Sequence, residues 1–266
     1  MWEVLLPIFG FLIGTMAAMT GIGGGVFIVP LLTLMYAFAP ANAVGTSLTT
    51  IIFTAVASTL NYSRQKRIYY KTGLILATMT APGAVLGAYL TSIIPPRTLG
   101  LIFGFFLIFV ALRMIIDFKL FRKKNAKADK DVCETVACSE KELFESKTKL
   151  LTGVALSFFG GLASGLLGIG GGALLVPIMT FAMSMSIHVA VATSMLTMII
   201  TSASGVVQHY TLGNIRFEYA LPIALGTVLG AQLGAYASKR LSSKNLRRVF
   251  GLMLVIVSIQ MIIKYI

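Results

Sequence analysis

The sequence predicts an all-α polytopic membrane protein built from two inverted-topology helical repeats. Three observations carry that prediction: the composition, an internal duplication and an uneven placement of charge. Of 266 residues, 57% are hydrophobic and 12% charged, where soluble domains carry roughly 45–50% and ~25%. So few charges would leave large apolar patches facing water on a soluble globule of this size. The strongly positive mean hydropathy equally excludes a disordered chain, because disorder requires too little apolar surface to drive burial.

The duplication organises everything else. Gly21-Ile22-Gly23-Gly24-Gly25 returns as Gly168-Ile169-Gly170-Gly171-Gly172, 147 residues later. Without gaps, the same offset maps Val29-Pro30 onto Val176-Pro177, and Ala43-Val44 with Thr46-Ser47 onto Ala190-Val191 with Thr193-Ser194. It also maps Gly83-Ala84 and Leu86-Gly87-Ala88-Tyr89 onto Gly230-Ala231 and Leu233-Gly234-Ala235-Tyr236. A register held over that length marks a repeated structural unit.

The first repeat, residues 1–117, contains apolar segments at about 4–20, 25–39, 42–63, 72–93 and 98–116. Segment 4–20 resembles the core of a signal peptide, but it lacks a basic flank and recurs in mid-chain, so it is expected to belong to the fold. The triple glycine separates the first two segments, which at ~15–18 residues are short for a ~30 Å hydrocarbon core. They either cross steeply or form a re-entrant hairpin. The next three have the ~20 residues that a span requires. The second repeat, residues 149–266, follows the same plan at about 150–167, 172–187, 189–210, 217–238 and 244–264. Residues 118–148 between them are rich in Lys, Glu and Asp and read as a solvated cytoplasmic linker. Cys133 and Cys138 lie there without a neighbouring histidine, a pattern that reads as free thiols rather than a metal site.

Whichever form the short pair takes, three further crossings make each repeat odd, so the second repeat sits inverted relative to the first. Charge gives an independent indication. Arg64, Lys66, Arg67, Lys71, the linker, and Lys239, Arg240, Lys244, Arg247 and Arg248 fall on one side, whereas Arg97, Arg216 and Lys264 fall on the other. By the positive-inside rule the 64–71, 117–149 and 239–248 loops are cytoplasmic and both termini outside, in a multi-pass protein of the cell membrane. The net charge of +13 thus reflects topology and contact with the lipid bilayer. No basic helix or aromatic–basic groove suggests a nucleic-acid partner. A homo-oligomer is compatible with this reading. Inverted repeats are typical of secondary transporters.

Few residues in the spans offer chemistry. A Gly-rich run could suggest a nucleotide loop, but those follow a strand. Within a membrane, Gly23, Gly24, Gly25 and Gly170, Gly171, Gly172 would instead end one helix and begin another. The new N-terminus exposes N–H groups and partial positive charge suited to an anion, and the two turns could face one central cavity. The alternative role is tight packing and a bend. Thr46, Thr50 and Thr54 share one helix face, repeated by Thr193, Thr197 and Thr201, with Ser47 and Ser194 beside them. Thr46, Ser47, Thr193 and Ser194 are candidate solute ligands, while the later threonines are expected to bond their own i−4 carbonyls. His209, at a helix end, is the candidate for proton coupling, or else an interfacial residue. There is no carboxylate pair, no H-E-x-x-H and no nucleophile–base set, so neither an enzyme nor a metal or cofactor site is expected.

Two copies of G-I-G-G-G-x-x-x-V-P, each followed by A-V-x-T-S and by a G-A-x-L-G-A helix, resemble the TauE/SafE sulfite exporter family of membrane permeases. The resemblance covers the chain apart from the linker. It implies movement of sulfite, sulfoacetate or related organosulfonates, with the glycine motifs near the substrate path. The expected function is a secondary transporter, acting as an exporter, of small sulfur-containing anions by alternating access. The residues alone also leave open a proton-coupled carrier of a carboxylate or metal ion, or a non-transporting membrane scaffold.

Overall fold

The computed structural model describes residues 5–115, 147–238 and 244–266. Residues 116–146, which hold Cys133, Cys138 and most of the linker, and 239–243 lie outside the described residues. Every regular element among the described residues is helical, because uninterrupted apolar runs satisfy their backbone internally, the form that hydrocarbon demands. The first repeat gives α1 (Leu6–Thr20), the short α2 (Gly25–Pro30) continued by a π turn (Leu31–Met35), α3 (Pro40–Arg64), α4 (Tyr70–Ile93) and α5 (Pro96–Ile115). The second gives α6 (Lys147–Leu167), α7 (Gly172–Pro177) with its π turn (Ile178–Ala182), α8 (Ile187–Thr211), α9 (Phe217–Ala237) and α10 (Lys244–Tyr265). Helices α3, α4, α6, α8 and α9 are long and apolar enough to cross a membrane.

Local sequence explains the boundaries. Prolines begin α3 and α5, where a missing N–H costs nothing. Pro30 and Pro177 stand where the helical ladder needs a donor, and the chain answers with wider π turns. Thr33 and Thr180 donate hydroxyl hydrogens to the Val29 and Val176 carbonyls, each at 2.9 Å, within those turns.

Contact registers fix the helix directions. Gly45 lies against His209 and Gly205 against Leu48, so α3 and α8 run antiparallel. The Thr46–Arg216, Thr50–Ala220 and Asn61–Gln232 hydrogen bonds set α9 parallel to α3. The counterpart bonds Thr193–Tyr69, Thr197–Gly73 and Thr201–Thr80 set α4 parallel to α8. Gly10 and Gly14 lie on Ile223 and Thr227, and Gly161 and Gly165 on Thr80 and Ala84, aligning α1 with α9 and α6 with α4. Arg97 bonds the Tyr265 carbonyl and Gly104 lies on Ile262, so α5 opposes α10. Each helix in these pairings runs opposite to its counterpart in the other repeat.

The repeats interlock rather than stand apart. Helix α1 packs on α9, α6 on α4, and α3 and α8 meet at the centre. A Cβ on Gly226, Gly230 or Gly234 would fall 2.0, 2.0 or 2.1 Å from the carbonyl oxygens of Pro7, Phe11 and Thr15. Glycine at every fourth position therefore lets the two backbones touch. Gly83 and Gly87 do the same for α4 against Phe158 and Leu162 of α6. Outward faces stay apolar, as in the exposed Leu221, Leu225, Leu229 and Leu233 of α9.

The short second helix doubles back on the first. Gly171 lies near Ser164, Gly160 near Leu175 and Gly153 against Met183, so α7 descends antiparallel along α6. Its six α and five π residues reach about 16 Å at 1.5 Å per residue, roughly half a hydrocarbon core. In the first repeat Gly24 meets Ala17 and Ile13 in the same manner.

Candidate functional site

Each glycine run ends one helix by taking a backbone conformation that side chains resist. Gly21, Gly23 and Gly24 have φ of 75°, 89° and 90°, and Gly168, Gly170 and Gly171 have 69°, 74° and 83°, in the left-handed region that glycine enters without penalty. Helices then restart at Gly25 and Gly172, with Gly24 and Gly171 as N-caps. The Gly24 carbonyl accepts from the Ile28 N–H at 3.0 Å and the Gly171 carbonyl from the Leu175 N–H at 2.9 Å. The N–H groups of Gly25 and Gly172 thus precede the first intrahelical bond.

The two turns lie against each other, antiparallel. A Cβ on Gly25 would stand 2.0 Å from the Gly168 carbonyl oxygen, and one on Gly172 would stand 2.1 Å from that of Gly21. Gly24 and Gly171 are therefore glycine for their φ, whereas Gly25 and Gly172 are glycine for closeness. Apolar side chains pack between the turns. The Met198 sulfur sits 2.8 Å from the Cβ position of Gly23, 3.1 Å from that of Gly170 and 2.9 Å from that of Gly172. Ile51, its counterpart across the repeat, comes within 2.9 Å of the Gly170 position. Both side chains are fully buried and bring apolar atoms against the turns. No polar signal in the sequence marks these two residues; only the 147-residue offset pairs them.

The candidate hydroxyls Thr46, Ser47, Thr193 and Ser194 are all fully buried and act across the repeats. Ser47 donates to the Gly168 carbonyl at 2.8 Å. Ser194 donates to the Gly21 carbonyl at 3.3 Å and to its own Val191 carbonyl at 2.8 Å. The Thr46 hydroxyl accepts from the Arg216 N–H and that of Thr193 from the Tyr69 N–H, each at 3.1 Å. Arg216 and Tyr69 are the N-cap residues of α9 and α4, and neither has a side-chain cap of its own. The serines therefore tether the turns, and the threonines support the first turns of α9 and α4. Thr50, Thr54, Thr197 and Thr201 donate to their own i−4 carbonyls at 2.9–3.2 Å.

His209 is fully buried within the protein. Its Nε2 lies 3.0 Å from the Gly165 carbonyl and its Nδ1 3.3 Å from the Asn214 amide nitrogen. A carbonyl only accepts, so Nε2 carries the hydrogen while Nδ1 accepts from Asn214, which describes a neutral imidazole. Tyr62 holds the equivalent place in α3 and donates to the Ala18 carbonyl at 2.7 Å. Ala18 is the counterpart of Gly165. One repeat thus uses a phenol and the other an imidazole for the same bond. Among the described residues no group of three or more His, Cys, Asp or Glu side chains is placed to hold a metal ion.

This arrangement can be compared with known proteins. The model of the family described as sulfite exporter TauE/SafE matches residues 6–261. The chain is 34% identical over 266 residues to the "Probable membrane transporter protein YunE" of Bacillus subtilis (strain 168), covering 97% of each chain. Similarity extends to the "Probable membrane transporter protein YdhB" of the same organism, at 28% identity over 87% of this chain and 89% of that one. It reaches the archaeal "Probable membrane transporter protein MJ0441" of Methanocaldococcus jannaschii, at 26% over 97% of this chain and 95% of that one. No solved structure matches. With crossed glycine turns at the centre of interlocked repeats, and with relatives matched along nearly their whole length, the chain belongs to the sulfite exporter TauE/SafE family of membrane transporters.

Proposed function

We propose that the protein is a secondary transporter that exports small sulfur-containing anions, such as sulfite or organosulfonates, across the cytoplasmic membrane. The observation that carries this reading is the antiparallel contact of the two glycine turns at the meeting point of α3 and α8. Each turn starts a helix whose first N–H groups suit an anion, and no lysine or arginine among the described residues stands at the turns to hold one too tightly for release. Gly23, Gly24, Gly25, Gly170, Gly171 and Gly172 supply the backbone, and Thr46, Ser47, Thr193 and Ser194 adjoin it.

The cross-repeat bonds support alternating access. The Ser47–Gly168 and Ser194–Gly21 contacts hold the turns together, and parting them frees the Ser47 hydroxyl for a solute while Ser194 keeps its bond to the Val191 carbonyl. The repeats lie in the bilayer in opposite orientations, with both termini outside and the 64–71, 117–149 and 239–248 loops in the cytoplasm. Antiparallel counterpart helices and the loop charges support that placement. A thermal-shift screen of purified protein against sulfite, sulfate, thiosulfate and sulfonates tests the reading, since a ligand that binds only the native state raises its apparent stability. A sulfur anion should raise the unfolding temperature and be carried into proteoliposomes. A panel in which no anion does either would overturn it.

A further inference from the structure

Among the described residues, five buried side-chain atoms lack a hydrogen-bond partner: the hydroxyls of Ser58, Thr59, Ser164 and Ser202, and the Gln65 carbonyl oxygen. Ser164 and Ser202 stand out among them for their position. Ser164 is fully buried on α6, and its Cβ lies 3.6 Å from the Cβ position of Gly171 in the second turn. Ser202, also fully buried, is one turn beyond Met198 on the same face of α8, and Met198 lies against Gly170 and Gly172. Ser58, by contrast, lies about two turns from Ile51 along α3.

Serine in an apolar helix normally satisfies itself by bonding a carbonyl one turn back. This chain follows that habit elsewhere: Ser157, Ser194, Ser204 and Ser258 donate to Val154, Val191, Ile200 and Val255 at 2.7–2.9 Å. Ser164 and Ser202 make no such bond, although an unmet hydroxyl is costly in a dry interior. The fold itself does not require either group. Their counterparts 147 residues earlier are Ala17 and Ala55, which occupy equivalent helix positions without a hydroxyl. The same neighbourhood has flexible Met198 where the first repeat has β-branched Ile51, and a thioether side chain can swing aside more readily.

We propose that Ser164 and Ser202 line an anion-accessible seat on the second-repeat side of the crossed turns, so that the solute is held asymmetrically by these hydroxyls when Met198 withdraws. This rests on the transport reading above and adds two ligands to it. A small oxyanion or sulfonate fits such a seat, since its oxygens accept from neutral O–H donors without a fixed cation.

The test replaces Cys133 and Cys138 by serine and introduces Ser164→Cys, Ser202→Cys, Ala17→Cys or Ala55→Cys singly in proteoliposomes. The probe is the anionic thiol reagent 2-sulfonatoethyl methanethiosulfonate. Cysteines at 164 and 202 should react at least about tenfold faster than those at 17 and 55. Ser164→Ala and Ser202→Ala, which restore the residue of the other repeat, should raise the KM for sulfite about three- to tenfold with normal membrane insertion. Equal reactivity at all four positions, or unchanged KM in both alanine variants, would overturn the asymmetric seat while leaving wild-type sulfite flux intact. Fast reaction at 164 and 202 in vesicles that carry no sulfur anion would support the seat and defeat the choice of substrate instead.

Discussion

Replacing Gly25 by alanine tests whether the two turns truly touch. The new Cβ would lie 2.0 Å from the Gly168 carbonyl oxygen and 2.7 Å from the Ile169 Cα, whereas ordinary contact begins near 3.4 Å. The obstructing atoms are backbone, so the turns must part by about 1.4 Å. That displacement stretches the 2.8 Å bond from Ser47 to Gly168 past hydrogen-bonding range. Overpacking costs about 1–3 kcal/mol and the lost bond about 0.5–1.5 kcal/mol, for a total of about 1.5–4.5 kcal/mol. Gly172→Ala meets the Gly21 carbonyl at 2.1 Å, but Ser194 keeps its 2.8 Å bond to Val191. Only the overpacking cost of about 1–3 kcal/mol then applies. Gly205→Ala is the control: its nearest neighbour is the Leu48 side-chain terminus at 3.0 Å, and the gain in helix propensity keeps it within about 1 kcal/mol of wild type. Thermal unfolding of the detergent-purified variants measures the order, at roughly 2–4 °C per kcal/mol. Gly25→Ala should unfold first, Gly172→Ala next and Gly205→Ala last. A Gly25→Ala protein that unfolds with wild type would refute backbone contact between the turns.

Valine at Gly24 or Gly171 forces a β-branched residue to φ of 90° or 83°, at a cost of about 1–3 kcal/mol each. Both variants should insert into membranes yet lose flux in proteoliposomes, and normal flux would reduce the glycines to a packing role. His209→Gln should lower the unfolding temperature, because the bonds to Gly165 and Asn214 are weakened, at about 0.5–1.5 kcal/mol for one neutral bond. It should leave the pH profile of flux unchanged, and a flattened profile would assign proton coupling to this histidine. Cysteines introduced singly in 64–71 and in 211–217 should react with an impermeant reagent from opposite sides of the membrane; labelling from one side would remove the inverted orientation.

Much of the helical plan is legible in the sequence because its causes are local. Apolar length, the proline at a helix start and the glycines that end α1 and α6 act within a few residues. The duplication supplies each boundary twice, so Pro40–Arg64 and Ile187–Thr211 emerge as the same helix. Back-bonding by Thr50, Thr54, Thr197 and Thr201 follows from their i−4 spacing for the same reason. Contacts across more than a hundred residues needed the tertiary structure. Only there does Ser47 meet Gly168, Ser194 meet Gly21, and α7 fold back along α6. Nothing in the pattern 46–47 says that its hydroxyls face the other repeat's backbone, since periodicity specifies a helix face but not what covers it. The Tyr62 and His209 pairing shows the division most clearly. The repeat offset aligns them, but their common bond to a neighbouring carbonyl depends on how α3 and α8 cross α1 and α6. Met198 likewise reads as one more apolar residue in a membrane helix, and only the convergence of two glycine turns makes its sulfur the atom between them.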